Sequence, residues 1–335
     1  MSTATTAGLR HLRKDTDLTF DELTTLLELA GQLKATRHAA TPPRLAGRTI
    51  AVLFEKPSTR TRSAFEVAAY DEGAHCTYID PANSHLGATE SVEDTARVLG
   101  RYYDGIAFRG FAQASVDTLA VHAGVPVWNA LTDTWHPTQA LADLLTIHEH
   151  HHAATPAKVC FVGDGNDNVV HSLLVSGALR GLDVRVACPA ALRPDPGIVQ
   201  EAHERATRTG GKILVTDDID EAVRDADFLY ADVWVSMGEP PERWAERVPL
   251  LHPYRIDRAL VDRTGNPDVK ILHCLPALHD RHTTLGEEMF TRYGLDGAEI
   301  SDDVFRSARS VVFDQAENRL HTIKAVLLHS LTETG

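Results

Sequence analysis

The sequence predicts an α/β fold of two domains, each a parallel sheet flanked by helices, and three observations carry that reading. Short apolar runs of strand length alternate with segments of helical periodicity, as expected where parallel strands are joined by crossover helices. The alternation occurs twice, and a polar tract, His148-Glu149-His150-His151-His152, separates the two series. The chain of 335 residues is long enough for two cores of ordinary size.

Taken in order, the chain begins with a helical segment. Phe20-Asp21-Glu22-Leu23 opens a run in which Leu23, Leu26, Leu27 and Ala30 recur at helical spacing, with Asp17 and Thr19 as candidate caps. Strand-like runs follow at 49–54, 76–79, 105–108 and 125–129. After the first of these, Pro57 fixes a turn and the Ser58 and Thr59 hydroxyls can cap a helix whose buried face carries Phe65, Ala68 and Ala69. Gly73 suits its end. A second helix start lies at His136-Pro137, with Pro137 in the first turn and Leu141, Leu144 and Leu145 on the buried face. The domain crossing is placed at the histidine tract. Beyond it, strands are expected at 158–163, 183–188, 212–216, 228–233 and 269–275, and a last helix at 313–331 carries Ala316, Leu320, Ile323 and Leu327 on one stripe.

Composition narrows the function. A net charge of −14 disfavours nucleic acid as a partner, since a phosphate backbone calls for a basic face. The first eight residues have neither a basic region nor a long apolar core, so no signal peptide or membrane span is expected and the cytoplasm is the default location. The four cysteines, Cys76, Cys160, Cys188 and Cys274, lie far apart in apolar runs and read as reduced thiols, the first three as small core residues. The histidine tract lacks the ligand spacing of a structural metal site and reads as a solvated segment; no metal or cofactor is expected.

Several residues stand where chemistry is expected. A helix start that joins Ser58, Thr59, Arg60, Thr61 and Arg62 combines backbone donors, the positive end of the helix dipole and guanidinium forks, which suits a phosphate; its alternative is a capped helix with solvated arginines. Ligands of parallel sheets bind at the carboxyl ends of the strands, where Ser58–Arg62, Arg109-Gly110 and His136–Gln139 all fall. His136 alone is also compatible with a cap or packing role. The loop Gly163-Asp164-Gly165-Asn166-Asp167-Asn168 lacks the third glycine of a dinucleotide fingerprint and reads as a substrate loop. Asp232 can be a plain strand-end carboxylate or a ligand group, Cys274 a packed thiol or a polar contact, and Arg319 a helix-surface charge.

The ordered series Ser58-Thr59-Arg60-Thr61-Arg62, His136-Pro137-Thr138-Gln139, Asp232-Val233-Trp234-Val235-Ser236-Met237-Gly238 and His273-Cys274-Leu275-Pro276 resembles the carbamoyltransferase family, and the last two motifs resemble its ornithine branch. The resemblance runs from about the fourth decade of the chain to its C-terminal helix. It implies a carbamoyl-phosphate domain at 1–147 completed by 315–335, an ornithine domain at 148–314, two interdomain helices and closure between the halves. It further implies that Ser58, Thr59, Arg60 and Thr61 hold the phosphate of carbamoyl phosphate, while Arg109, His136 and Gln139, with Thr61, hold its carbonyl end. Asn168 would meet the amino-acid carboxylate. Asp232, Ser236 and Met237 would hold the α-amino end, and Cys274 and Leu275 would line the side-chain amine. Cys274 and Asp232 would orient that amine or take its proton, with Arg319 beside the reacting groups.

His85-Leu86-Gly87 resembles a loop that reaches a neighbouring subunit's phosphate site, which implies a homotrimer or a multiple of it. Aspartate-specific relatives carry lysine where this chain has Thr89, and that difference, like Cys274, points away from aspartate. The expected reaction is carbamoyl transfer from carbamoyl phosphate to the δ-amine of L-ornithine, giving L-citrulline and phosphate. Alternatives are another acceptor amine (putrescine, lysine or an acylated ornithine) or an inactive paralogue that only binds ligand. Physically, amine attack moves charge onto the carbonyl oxygen and the departing phosphate, and each fixed donor aimed at such charge contributes about 2.7–4 kcal/mol.

Overall fold

β1 (Thr49–Phe54) is apolar at five of its six positions, and all five are buried, as befits a central strand covered on both faces. It pairs in parallel with β2 (His75–Ile79) on one side and β3 (Gly105–Arg109) on the other, and β4 (Val127–Leu131) completes the sheet in the order β2-β1-β3-β4. The crossovers are α2 (Thr59–Asp71), α3 (Val92–Tyr102) and α4 (Gln113–His122), preceded by α1 (Phe20–Ala35) and followed by α5 (Pro137–His150). The second sheet has the order β7-β6-β5-β8-β9, also parallel, from β5 (Lys158–Val162), β6 (Asp183–Ala187), β7 (Lys212–Thr216), β8 (Phe228–Ala231) and β9 (Lys270–His273). Its helices are α6 (Asn168–Leu179), α7 (Pro196–Thr209), α8 (Ile219–Val223), α9 (Arg243–Leu251), α10 (Arg258–Arg263), α11 (Thr284–Tyr293) and α12 (Asp302–Phe305); α13 (Val312–Thr332) ends the chain.

The computed structural model describes residues 9–39, 42–80, 89–236 and 239–332. It separates into two units, Met1–Leu145 with Glu317–Gly335, and Thr146–Ala316. Each division falls inside a helix, α5 or α13, so those two helices carry the chain between units. Among the described residues, no helix is long and apolar enough to cross a membrane.

Four expectations need correction. The cap of α1 is Thr19, which accepts from the Glu22 N–H while the Glu22 carboxylate accepts from the Thr19 N–H; Asp17 instead pairs with Arg13 at 3.0 Å. β4 spans 127–131 rather than 125–129, because Pro126 has no N–H to give the ladder and the strand continues past a register shift beside Arg109. The apolar stripe of α13 is not its whole buried face. Gln315, Asn318, His321, Thr322 and Lys324 are buried on it too, and in the first unit Asn318 accepts from Lys34 (2.8 Å) while Lys324 meets Asp71 (2.5 Å). A helix buried on nearly every side must satisfy most of its polar groups internally, and these partners do so for Asn318 and Lys324, whereas His321 Nδ1 has no hydrogen-bond partner among the described residues. Cys160 and Cys188 are core residues, whereas Cys76 is only partly buried and donates to the Phe65 carbonyl.

Candidate active site: two charged clusters

Both sheets reverse their strand order once, and several of the described side chains singled out above lie in the loops at those points. In the first sheet β1 has neighbours reached in opposite directions, so the loops after β1 and β3 open side by side. Ser58 caps α2 there, its Oγ accepting from the Thr61 N–H at 3.3 Å. Arg109 ends β3 and is buried; its carbonyl accepts from the Glu55 N–H at 2.7 Å, and the Glu55 carboxylate accepts from the Phe111 N–H at 3.0 Å. Gly110 is required between them, since a Cβ would lie 2.2 Å from Glu55 Oε2. The turn that carries Arg109 is thus fixed from the β1 side.

The third and fourth contributors are α5 and α13. Arg319 lies in the part of α13 that belongs to the first unit, and its Nη2 donates to Thr61 Oγ1 at 2.7 Å while its Nη1 donates to Gln139 Oε1. Gln139 Nε2 donates in turn to Asp143, one helical turn on, at 2.6 Å. His136, immediately before α5, is buried, and its imidazole is held well below its ordinary pKa by burial first and then by Arg319 and Arg109. The cluster therefore presents a neutral imidazole among guanidinium donors and hydroxyls, a set that can hold an anion or polarise a carbonyl oxygen. Arg60 is partly buried and Thr59 exposed. Arg62 departs from the helix-start cluster, pairing with Glu66 at 2.9 Å and lying over the Tyr78 ring at 3.9 Å.

In the second unit the reversal lies between β5 and β8, and its cluster is acidic. Asp167 caps α6 by accepting from the Val169 N–H at 2.7 Å. Asp232, just past β8, accepts from the Val233 N–H (2.7 Å) and from the Cys274 thiol (2.8 Å). Burial, then the neighbouring Asp232 and Asp164, pushes the Asp167 carboxyl well above the ordinary range. The Asp232 carboxyl is also raised by burial, against the opposing pull of His273 and its hydrogen bonds. A cationic ligand would relieve both. Asp164 is partly neutralised by Arg247 at 2.7 Å. Asn168 opens α6, and its Oδ1 is buried with no hydrogen-bond partner among the described residues. Leu275 follows β9 at φ 58°, a region that non-glycine residues seldom occupy.

Sequence reasoning missed several residues that hold these positions in place. Lys56 is buried, bonded to Asp133 at 2.5 Å and placed over the Phe111 ring. His273 Nδ1 accepts from the Leu275 N–H at 2.9 Å, so the ring proton sits on Nε2, 3.2 Å from Glu299. The His273 N–H is taken by Gln315 at 2.8 Å. Glu299 and Gln315 lie far along the chain from His273, and no local pattern marks them. Ser236 is described, its N–H donating to Glu239 at 2.7 Å, whereas the proposed contacts His85 and Met237 lie outside the described residues.

Comparison with known proteins yields a consistent result. Residues 10–149 match the family model "Aspartate/ornithine carbamoyltransferase, carbamoyl-P binding domain", and residues 156–330 match "Aspartate/ornithine carbamoyltransferase, Asp/Orn binding domain". Among solved structures, the chain is similar to an ornithine carbamoyltransferase from Pyrococcus furiosus at 41% identity and TM-score 0.86, covering 96% of this chain and 97% of that one. It is similar to one from Thermus thermophilus at 40% identity and TM-score 0.80, covering 96% and 98%. An anabolic ornithine carbamoyltransferase from Campylobacter jejuni matches at 32% identity and TM-score 0.86, covering 97% and 100%.

Proposed function

This chain belongs to the aspartate/ornithine carbamoyltransferase family, and from that membership we propose that it transfers the carbamoyl group of carbamoyl phosphate to the δ-amine of L-ornithine, releasing L-citrulline and phosphate. The observation that carries the choice of acceptor is the buried acidic pair of the second unit, Asp232 hydrogen-bonded to Cys274 at 2.8 Å with Asp167 close enough to raise its own carboxyl against it. Such a cluster favours a cationic acceptor and repels the side-chain carboxylate of aspartate. In the proposed reaction Asn168, Ser236 and Met237 hold the amino-acid end, and Leu275, with Cys274, lines the side-chain amine. Asp232 and Cys274 receive the δ-ammonium and help it lose the proton that blocks attack.

Carbamoyl phosphate is assigned to the cationic cluster. Ser58, Thr59, Arg60 and Thr61 at the start of α2 take its phosphate, joined by His85 of a neighbouring subunit in a trimer. Arg109, neutral His136 and Gln139 take its carbonyl oxygen, and Arg319 holds Thr61 and Gln139 in register while adding positive charge. As the amine attacks, the guanidinium and hydroxyl donors meet charge growing on the carbonyl and leaving oxygens; a neutral His136 donates its ring N–H to the carbonyl oxygen without adding a full charge to the cationic wall. The test is formation of citrulline by purified, folded protein, with aspartate, lysine and putrescine assayed in parallel. Citrulline from ornithine alone is expected; no product at millimolar substrate, or preference for aspartate, overturns the proposal. Sedimentation at assay concentration checks the trimer.

A further inference from the structure

A second group of side chains in the Thr146–Ala316 unit is not used by the reaction above. The segment after β9 carries His279, Asp280 and His282, and α12 with its C-cap brings Asp302 and Arg306 against it. His279 Nδ1 lies 2.7 Å from Asp302 Oδ1 and 3.5 Å from Asp280 Oδ2. His282 Nδ1 lies 2.9 Å from the same Asp280 Oδ2. Arg306 donates to both carboxylates, through Nε to Asp302 Oδ1 at 2.7 Å and through Nη2 to Asp280 Oδ2 at 3.2 Å. The two carboxylates thus share one guanidinium, and with neutral imidazoles the group keeps a net negative charge.

The imidazole of His279 is also aimed. Its ring lies flat on Phe305, centroids 3.9 Å apart and planes within 8°, so the Nδ1 edge is held toward the carboxylates. His279 Nδ1, Asp280 and Asp302 each offer a donor atom within 4.8 Å of one another. Zinc-type ions bind imidazole nitrogen and carboxylate oxygen at about 2.0–2.2 Å, which places neighbouring ligand atoms roughly 3.3 Å apart in a tetrahedron. The hydrogen-bonded contacts at 2.7 and 2.9 Å need to open by only a few tenths of an ångström, with the metal replacing the shared protons, while His282, which stands outside that close set of three and meets Asp280, has to swing in as the fourth ligand.

We propose that His279, Asp280, His282 and Asp302 form a binding site for a borderline divalent transition metal such as Zn²⁺ or Co²⁺, and that Arg306 is the built-in cation the metal displaces. Two nitrogens and two carboxylates favour such ions over Ca²⁺ or Mg²⁺, which prefer all-oxygen shells. Arg306 can leave readily, because its side chain is 58% exposed. The loop 279–282 begins four residues beyond Leu275, so occupancy would clamp the chain leaving the β9 end to α12.

Co²⁺ titration of the full-length apoprotein tests this, followed by visible absorption and by calorimetry. All arms carry Cys274→Ser, because Asp232, His273 and Cys274 form another close donor set; thiolate ligation would announce itself by a sulfur-to-metal charge-transfer band. One Co²⁺ per chain is expected, with d–d absorption and no such band. His279→Ala should weaken binding by more than about tenfold, and His282→Ala, at a side chain 85% exposed and therefore safe for folding, by less. Arg306→Ala should tighten it, the opposite of what loss of a structural ion pair gives. The proposal fails if no Co²⁺ binds, if His282→Ala and Arg306→Ala leave affinity unchanged, or if Arg306→Ala weakens it; the group would then be a hydrogen-bonded clamp only.

Discussion

The two clusters solve opposite electrostatic problems. In the first unit buried guanidinium groups are held by neutral partners, with Arg319 on the Thr61 hydroxyl and the Gln139 amide, and the nearby histidine is driven neutral. In the second unit buried carboxyls are held by a thiol and by backbone N–H groups and are driven toward protonation. Each cluster keeps charge of one sign only partly compensated. That is costly in a folded protein without ligand and useful when a ligand of opposite sign arrives.

The sharpest way to break the comparison is at Arg319. Arg319→Ala should lower citrulline formation by about 10²–10³-fold, one lost donor's worth of stabilisation, while circular dichroism reports an intact fold. Asp232→Asn should strike the other cluster. A fall of about 10²-fold or more in kcat/KM for ornithine is expected with little change in the KM for carbamoyl phosphate; equal effects on both substrates would dissolve the division of labour.

Opposite charge also predicts opposite pH signatures in thermal melts. His136 has a depressed pKa, so its contribution to stability is complete above about pH 6.5 and is lost as pH falls toward its folded value; His136→Gln should flatten that acid limb. Asp167 has a raised pKa, so it costs nothing below about pH 4 and progressively more as pH rises through its folded value. Asp167→Asn keeps a good helix cap and should raise the melting temperature by about 2–4 °C at neutral pH and not at pH 4. The smallest effect is a control in neither cluster. Thr19→Ala should cost about 1 kcal/mol through the lost capping box and leave both KM values unchanged.

Much of this was legible in the chain. Six of the nine strands begin where the apolar runs begin and the others within two residues, because parallel strands buried on both faces must be continuously apolar. Ser58 was readable as a cap from residue type and position, and the helix starts at Thr59 and Pro137 follow from hydroxyl and proline chemistry. Arg319 was not readable from local pattern: a charge in a terminal helix looks solvated, and only the resemblance pointed to it. The polar face of α13 was missed for a related reason, since periodicity counts apolar residues and cannot see Lys324 meeting Asp71.

The sequence by itself determined the alternation of strands and helices, the hydroxyl and arginine chemistry at the start of α2, and the acidic and thiol residues that follow β8 and β9, because these depend on neighbours within a few positions. The tertiary structure alone decided the strand orders β2-β1-β3-β4 and β7-β6-β5-β8-β9 and the partners supplied from far along the chain, such as Arg319 for Thr61 and Cys274 for Asp232. Strand order sets where a parallel sheet reverses and opens a crevice, and burial sets which charges go uncompensated. Both depend on which distant segments pack together, and no local run of residues encodes that.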